Sequence, residues 1–155
     1  MKSVWVMDSP IGPLTLVEQD GALAEIRFGN RPGDGAVCQT PLLQQACRQL
    51  SEYFAGNRRM FDLPLNPQGT AFQQQCWRAL LDIPYGQTRT YAQQAQAIGK
   101  PGACCAVGMG NHFNPLPIVI PCHRVVGKDG SLTGYAGGLE AKRKLLALEG
   151  VCLKG

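Results

Sequence analysis

Leu116-Pro117-Ile118-Val119-Ile120-Pro121-Cys122-His123-Arg124-Val125-Val126 is the most informative stretch of the chain. Its first five residues are an apolar run and read as a short buried strand. Pro121 has no N–H to give to a ladder, so the strand is expected to stop there. Cys122 is then turned out at a fixed angle, with an imidazole and a guanidinium beside it. Such neighbours favour the thiolate, which is the nucleophilic form. The competing reading is a structural cysteine, the usual fate of a buried free thiol. Position alone leaves the two even; His123 and Arg124 favour the reactive one.

Upstream of this segment the pattern is helical. Thr70 can cap a helix to about Leu81, with Phe72, Cys76, Ala79 and Leu80 on one face, and Ile83-Pro84-Tyr85-Gly86 closes it. Thr90 can cap a second helix, Tyr91 to Ala97. Gly99-Lys100-Pro101-Gly102 is a turn, and Ala103 to about Gly110 is a further short helix. Two helices joined by a Gly-containing turn have the shape of a helix-turn-helix, though many helical pairs share that spacing. The second is nearly bare: Gly102, Ala103, Ala106, Gly108 and Gly110 are all small. Close approach of another surface and tight internal packing both demand that. Downstream, a last helix runs from about Gly138 to Gly150. Leu139, Leu145, Leu146 and Leu148 are expected inside, with Lys142, Arg143 and Lys144 turned to solvent or phosphate.

The first 68 residues read differently. Ser3–Met7, Leu14–Glu18 and Ala22–Phe28 are strand-like, with Asp20-Gly21 as a tight hairpin. Asn30–Val37 reads as loop. Thr40 and Pro41 open a helix whose stripe includes Leu42, Leu43, Ala46, Cys47, Leu50, Tyr53 and Phe54, and Gly56 ends it. Met60–Leu63 is compatible with one more strand. Leu63-Pro64-Leu65-Asn66-Pro67-Gln68-Gly69 breaks all periodicity and marks a boundary. The expectation is an α+β protein: residues 1–68 as a three-stranded antiparallel sheet with a helix, residues 69–155 as a mainly α-helical domain.

Net charge is +4 and unevenly placed. Residues 1–69 hold six Lys/Arg against seven Asp/Glu; residues 70–155 hold nine against four. A polyanionic partner is expected on the second half. No apolar run approaches the ~20 residues of a membrane span. The seven cysteines are irregularly spaced with no CxxC pair, which points away from a disulfide framework and to a reducing compartment. With only His112 and His123, a His-rich zinc site is excluded.

The Pro-Cys-His-Arg segment resembles the active-site signature of the O6-alkylguanine-DNA alkyltransferases. The likeness continues through Asn114-Pro115-Leu116-Pro117, Thr133-Gly134-Tyr135-Ala136-Gly137-Gly138-Leu139 and Leu145-Leu146-Ala147-Leu148-Glu149-Gly150, and back to about Gly69. It implies single-turnover transfer of an alkyl group from O6 of guanine, and of O4-alkylthymine, to Cys122. By the same resemblance His123 is the base, acting through a water, and Glu149 orients it. Asn114 braces the cysteine's turn. Taken alone, Glu149 reads as an exposed helix end and Asn114 as a loop residue. Tyr91 and Tyr135 would contact the extruded base. The backbone of Cys122, Val125 and Ala136 would read its edges. Thr90, Ala103, Cys105, Ala106, Arg124 and Lys128 would complete the DNA and substrate contacts. Implied with these are minor-groove binding of double-stranded DNA, base flipping, a monomer, a cytoplasmic location, and no metal or organic cofactor.

One position departs from the family. Its second motif helix usually carries an arginine within Ala-Arg-Ala-Val-Gly that fills the gap left by the flipped base. This chain has Cys104-Cys105-Ala106-Val107-Gly108. Cys105 is shorter and uncharged, which leaves the thiol chemistry intact and weakens the case for strong duplex binding. The alternatives are a non-catalytic module for alkylated guanine, against which Cys122 argues, and a Cys-His-Glu hydrolase, for which no acyl site is visible.

Overall fold

The computed structural model describes residues 2–132 and 134–151. The chain divides into two compact units between Gln68 and Gly69.

In the first unit, β1 (Lys2–Met7), β2 (Leu14–Gln19), β3 (Ala22–Phe28) and β4 (Ala36–Val37) form a sheet in the order β3-β2-β1-β4. The first three are antiparallel, with Val4 opposite Val17 and Leu16 opposite Ile26. Asp20 and Gly21 both take positive φ (56° and 77°), the geometry a two-residue hairpin needs. The α1 helix (Pro41–Phe54) starts at Thr40, whose Oγ1 accepts from the Leu43 N–H. Leu43, Ala46, Leu50 and Tyr53 on α1, with Val4, Leu14, Leu16, Val17, Leu23 and Ile26 on the strands, are the buried apolar residues among the unit's described residues. Cys47, expected on the inner stripe, is only half-buried.

Two readings needed correction here. β4 lies in the segment expected to be loop and adds a short strand parallel to β1. Met60–Leu63 is not a strand; Leu65 instead bridges to Leu23. Gln49 holds the intervening segment, donating to the Asp62 carbonyl (3.0 Å) and accepting from its N–H (2.9 Å). A side-chain brace leaves no mark on backbone periodicity.

In the second unit, α2 (Ala71–Leu81) and α3 (Tyr91–Ala97) each open with a full capping box, Thr70–Gln73 and Thr90–Gln93. The α4 helix (Cys104–His112) follows a turn in which Gly99 has φ 76°. Gly110 permits close contact between α4 and α2, since a Cβ there would lie 2.9 Å from the Cys76 sulfur. The Trp77 indole N–H donates to the Gly110 carbonyl (3.0 Å). A 3-10 turn at Cys122–Arg124 leads into β6 (Val125–Val126), which pairs in parallel with β5 (Arg89–Thr90). The α5 helix (Leu139–Leu148) is the last described element.

The run Leu116–Ile120 is buried as expected but is a tight turn, not a strand. Pro117 within it has no ladder donor, and Asn114 supplies partners: its Oδ1 accepts from Leu116 N–H (2.9 Å) and its Nδ2 donates to the Ile120 carbonyl (2.8 Å). Ile118 is held at φ 77°, a strained setting for a β-branched residue. On α5, Leu139 is exposed, Leu148 is half-buried and Lys142 is buried, so the expected inner and outer faces are partly exchanged.

Candidate active site

The site is assembled from the turn after α4, the Cys122–Arg124 turn, the Ile83–Gly86 turn and the end of α5. Pro121 forces the chain out of the buried turn, and the Cys122 N–H folds back on the Ile120 carbonyl (2.8 Å). That carbonyl therefore takes both the Cys122 N–H and the Asn114 amide. Polar groups of Asn114 and Tyr135 beside the Cys122 thiol favour its ionised form.

Behind the cysteine lies a buried ionic cluster. The Glu149 carboxylate is fully enclosed and meets His123 Nε2 at 2.7 Å. Arg124 donates to the same carboxylate through Nε (2.8 Å) and Nη2 (3.0 Å), and through Nη1 to the Ile83 carbonyl (2.7 Å). The Gly86 N–H donates to Glu149 as well (3.3 Å). Bidentate pairing with arginine keeps the carboxylate ionised and aimed. A carboxylate at Nε2 fixes the tautomer with the proton on that nitrogen. Nδ1, also buried and without a hydrogen-bond partner among the described residues, is thereby the ring's basic nitrogen. Burial lowers the His123 pKa, with Glu149 opposing, so the ring rests neutral and able to accept a proton.

The cysteine itself corrects the expectation of a resting thiolate. Burial pushes its pKa up to about 11, and the neighbouring polar groups and the Lys142 charge recover only part of that. At pH 7 about one molecule in 10⁴ would hold a thiolate. Arg124 does not help, because its guanidinium is spent on Glu149. For the same reason it contradicts the expected DNA or substrate contact: Arg124 is buried, with its cationic face over the Tyr85 ring (5.7 Å).

Lys142 is the functional candidate that the sequence reading turned outward. It is 1% exposed, and burial lowers its pKa to about 8, with the Cys122 charge opposing. A lysine flanked by Arg143 and Lys144 looks like part of a solvated basic face. Only the spacing to Leu145 and Leu146, three and four residues on, hints that it shares the inner face.

The other expected site residues are distributed as follows. Val125 is buried in β6, Tyr135 is half-buried at the thiol, and Ala136 is exposed beside it. The Thr90 hydroxyl is engaged as the α3 cap. Tyr91 is half-buried with its ring beside Gly108. Ala103 is half-buried, and Cys105 and Ala106 are exposed at the start of α4. Lys128 is exposed in the loop after β6. Thr133, Cys152 and Lys154 lie outside the described residues. Among the described residues no cluster of three or more His, Cys, Asp or Glu could hold a metal, and no helix is long and apolar enough to cross a membrane.

Residues 71–151 match the family model described as "6-O-methylguanine DNA methyltransferase, DNA binding domain". Residues 5–67 match its "ribonuclease-like domain". The chain belongs to the 6-O-methylguanine DNA methyltransferase family. Among similar members is the constitutive methylated-DNA–protein-cysteine methyltransferase of Bacillus subtilis, 54% identical over 95% of this chain and 94% of that one. The methyltransferase of Methanosarcina acetivorans is 47% identical over 95% and 97%. The structure of Mycobacterium tuberculosis OGT in complex with DNA superposes with a TM-score of 0.88 at 47% identity, covering 95% of this chain and 92% of that one. The mixed fold expected from the sequence is therefore the methyltransferase fold.

Proposed function

We propose that this methyltransferase repairs DNA by moving the alkyl group of O6-alkylguanine, and of O4-alkylthymine, onto the Sγ of Cys122. In that step the thiol gives up its proton, Sγ forms a bond to the alkyl carbon, and the carbon–O6 bond breaks. The departing guanine anion takes up a proton. The product is a stable thioether, so each molecule acts once.

The observation that carries this reading is the His123–Glu149 contact inside a closed cluster. With Nε2 held by the carboxylate, Nδ1 is the acceptor for the Cys122 proton, directly or through a water. A thiol with a pKa near 11 needs such an acceptor. Lys142 supplies a positive charge for the sulfur as it ionises. Asn114 is a positioning residue, because its amide holds the Ile120 carbonyl on which the Cys122 turn closes. Tyr135 and the backbone of Cys122, Val125 and Ala136 would form the walls of the base pocket.

The DNA partner is double-stranded. Ala103, Cys105 and Ala106 on the bare start of α4 would enter the minor groove, with Tyr91 at the start of α3 behind them and Lys128 near the phosphates. Reaching O6 inside a stack requires flipping the nucleotide out, at a cost of a few kcal/mol. Cys105 brings neither length nor charge to the gap. A monomer suffices, since every group named lies on one chain. The free thiols fit a reducing, cytoplasmic setting.

The test is incubation with an O6-methylguanine duplex, followed by intact mass and peptide mapping. One methyl on Cys122, lost in Cys122→Ser with the fold intact, is the expected result. Tight binding without an adduct would instead make the chain a recognition module, and labelling of another cysteine would move the nucleophile.

A further inference from the structure

The α4 helix is poorly supplied with the usual means of staying in place. It contains Gly108 and Gly110, each costing roughly 1 kcal/mol against alanine. Its N-cap is Ala103, which makes no side-chain hydrogen bond. Of its residues only Val107, Gly110 and Asn111 are buried, so a single apolar side chain of any size anchors it. Against this bare surface lies a reciprocal amide pair. Gln94 Nε2 donates to Asn111 Oδ1 (2.8 Å), and Asn111 Nδ2 donates to Gln94 Oε1 (2.7 Å). Gln94 Nε2 also reaches the Cys76 carbonyl of α2 (3.2 Å). Gln94 is 1% exposed and Asn111 8%. One step further along the chain, the Asn111 carbonyl accepts the Asn114 N–H (3.2 Å).

Two buried amides gain little net stability over apolar side chains of similar shape, because both give up water. What they add is direction. Apolar contact is non-directional, and a helix of small residues has few knobs to stop it sliding. Two opposed hydrogen bonds fix both the distance between α3 and α4 and the rotation of α4 about its axis. A buried polar pair that sets register at little gain in stability is a known role for such groups.

We propose that Gln94 and Asn111 are positioning residues for DNA: their paired amides set the pose of α4 and link it, through Asn114, to the turn that carries Cys122. This rests on the alkyl-transfer reading above. The clamp joins α3 to α4, the helices that face the duplex, and neither amide touches the Cys122 thiol or the His123–Glu149 pair. Its loss is therefore felt when a nucleotide must be extruded from DNA, and hardly at all when a free base diffuses in.

The experiment compares wild type with Gln94→Leu/Asn111→Leu on two substrates: a duplex carrying O6-methylguanine and free O6-benzylguanine. The leucine pair is expected to lose about tenfold or more in rate and affinity for the duplex, in line with two net hydrogen bonds, and to stay within about twofold on the free base. The exchange variant Gln94→Asn/Asn111→Gln keeps both hydrogen bonds and the summed side-chain length, and is expected to recover the duplex rate to within about threefold. If the leucine pair fails to fold, Asn111→Ser is measured in the same way. Equal losses on both substrates in a folded variant would overturn the proposal, as would an unchanged duplex rate or an exchange variant that folds but stays slow. Failure of wild type to methylate Cys122 would remove the functional reading instead. The clamp would then be judged on duplex affinity alone, and an unchanged affinity would overturn it.

Discussion

Replacing Lys142 by methionine is expected to make the protein more stable and less active. The lysine is 1% exposed, and its pKa is lowered from 10.5 to about 8 by burial. A cation whose folded pKa is depressed binds fewer protons folded than unfolded between those values. Its penalty is therefore complete below about pH 8 and is relieved as pH rises towards 10.5. The displacement corresponds to about 3 kcal/mol at pH 7. Methionine matches the length of the stem and carries no charge, so Lys142→Met is expected to raise Tm at pH 7 by roughly 6–12 °C for a chain of this size. At pH 10.5 the advantage shrinks to about half a kcal/mol. The activity moves the other way. Without the neighbouring cation the Cys122 thiol is harder to ionise, and transfer is expected to slow about tenfold for each unit its pKa rises. Thermal melts at the two pH values and single-turnover transfer at pH 7.5 provide the data. A variant that melts lower than wild type at pH 7, or one whose gain is the same at both pH values, would refute the reasoning.

Three further predictions follow from the same cluster and from α4. Glu149→Gln leaves Arg124 buried without its counter-charge, so a stability loss of about 3–5 kcal/mol is expected by denaturant titration; below the transition, transfer is expected to slow by up to the 10²–10⁴-fold typical of a lost general base. The iodoacetamide rate of Cys122, followed by peptide mapping, is expected to keep rising past pH 9 towards an inflection near 11, and a plateau below pH 8 would show a resting thiolate. Cys105→Arg is expected to tighten duplex binding, steepen its salt dependence by counterion release and speed repair in duplex DNA, with little change on free O6-benzylguanine; equal gains on both substrates would show that the position acts through the pocket.

Most helix starts were legible because each carries its own local chemistry. Thr40, Thr70 and Thr90 are threonines placed one residue ahead of a helical pattern, and all three cap. The Asp20-Gly21 hairpin was legible for the same reason. What failed was whatever depends on a distant partner. The turn at Leu116–Ile120 has the composition of a buried strand, and Pro117 with the Asn114 side chain decides otherwise. Val37 joins β1 through backbone pairing that its Gly/Pro-rich surroundings do not advertise. Lys142 and Arg124 were both misplaced, since charge in sequence suggests solvent. Glu149 could be placed behind His123 only through the family likeness, because nothing local links residues 26 positions apart.

The long reach of these contacts has a consequence for how the protein comes into being. Glu149 meets His123 across 26 residues and Gly86 across 63. A chain made from its amino end therefore exposes Cys122 and His123 well before their carboxylate exists. During that interval the imidazole has no fixed tautomer, Arg124 has no counter-charge, and α5 has not covered the thiol. The nucleophile is thus armed only once the chain has been made as far as Glu149, 26 residues beyond His123. A product that stops short of residue 149 would contain the whole Pro-Cys-His-Arg segment and still lack the carboxylate that readies it.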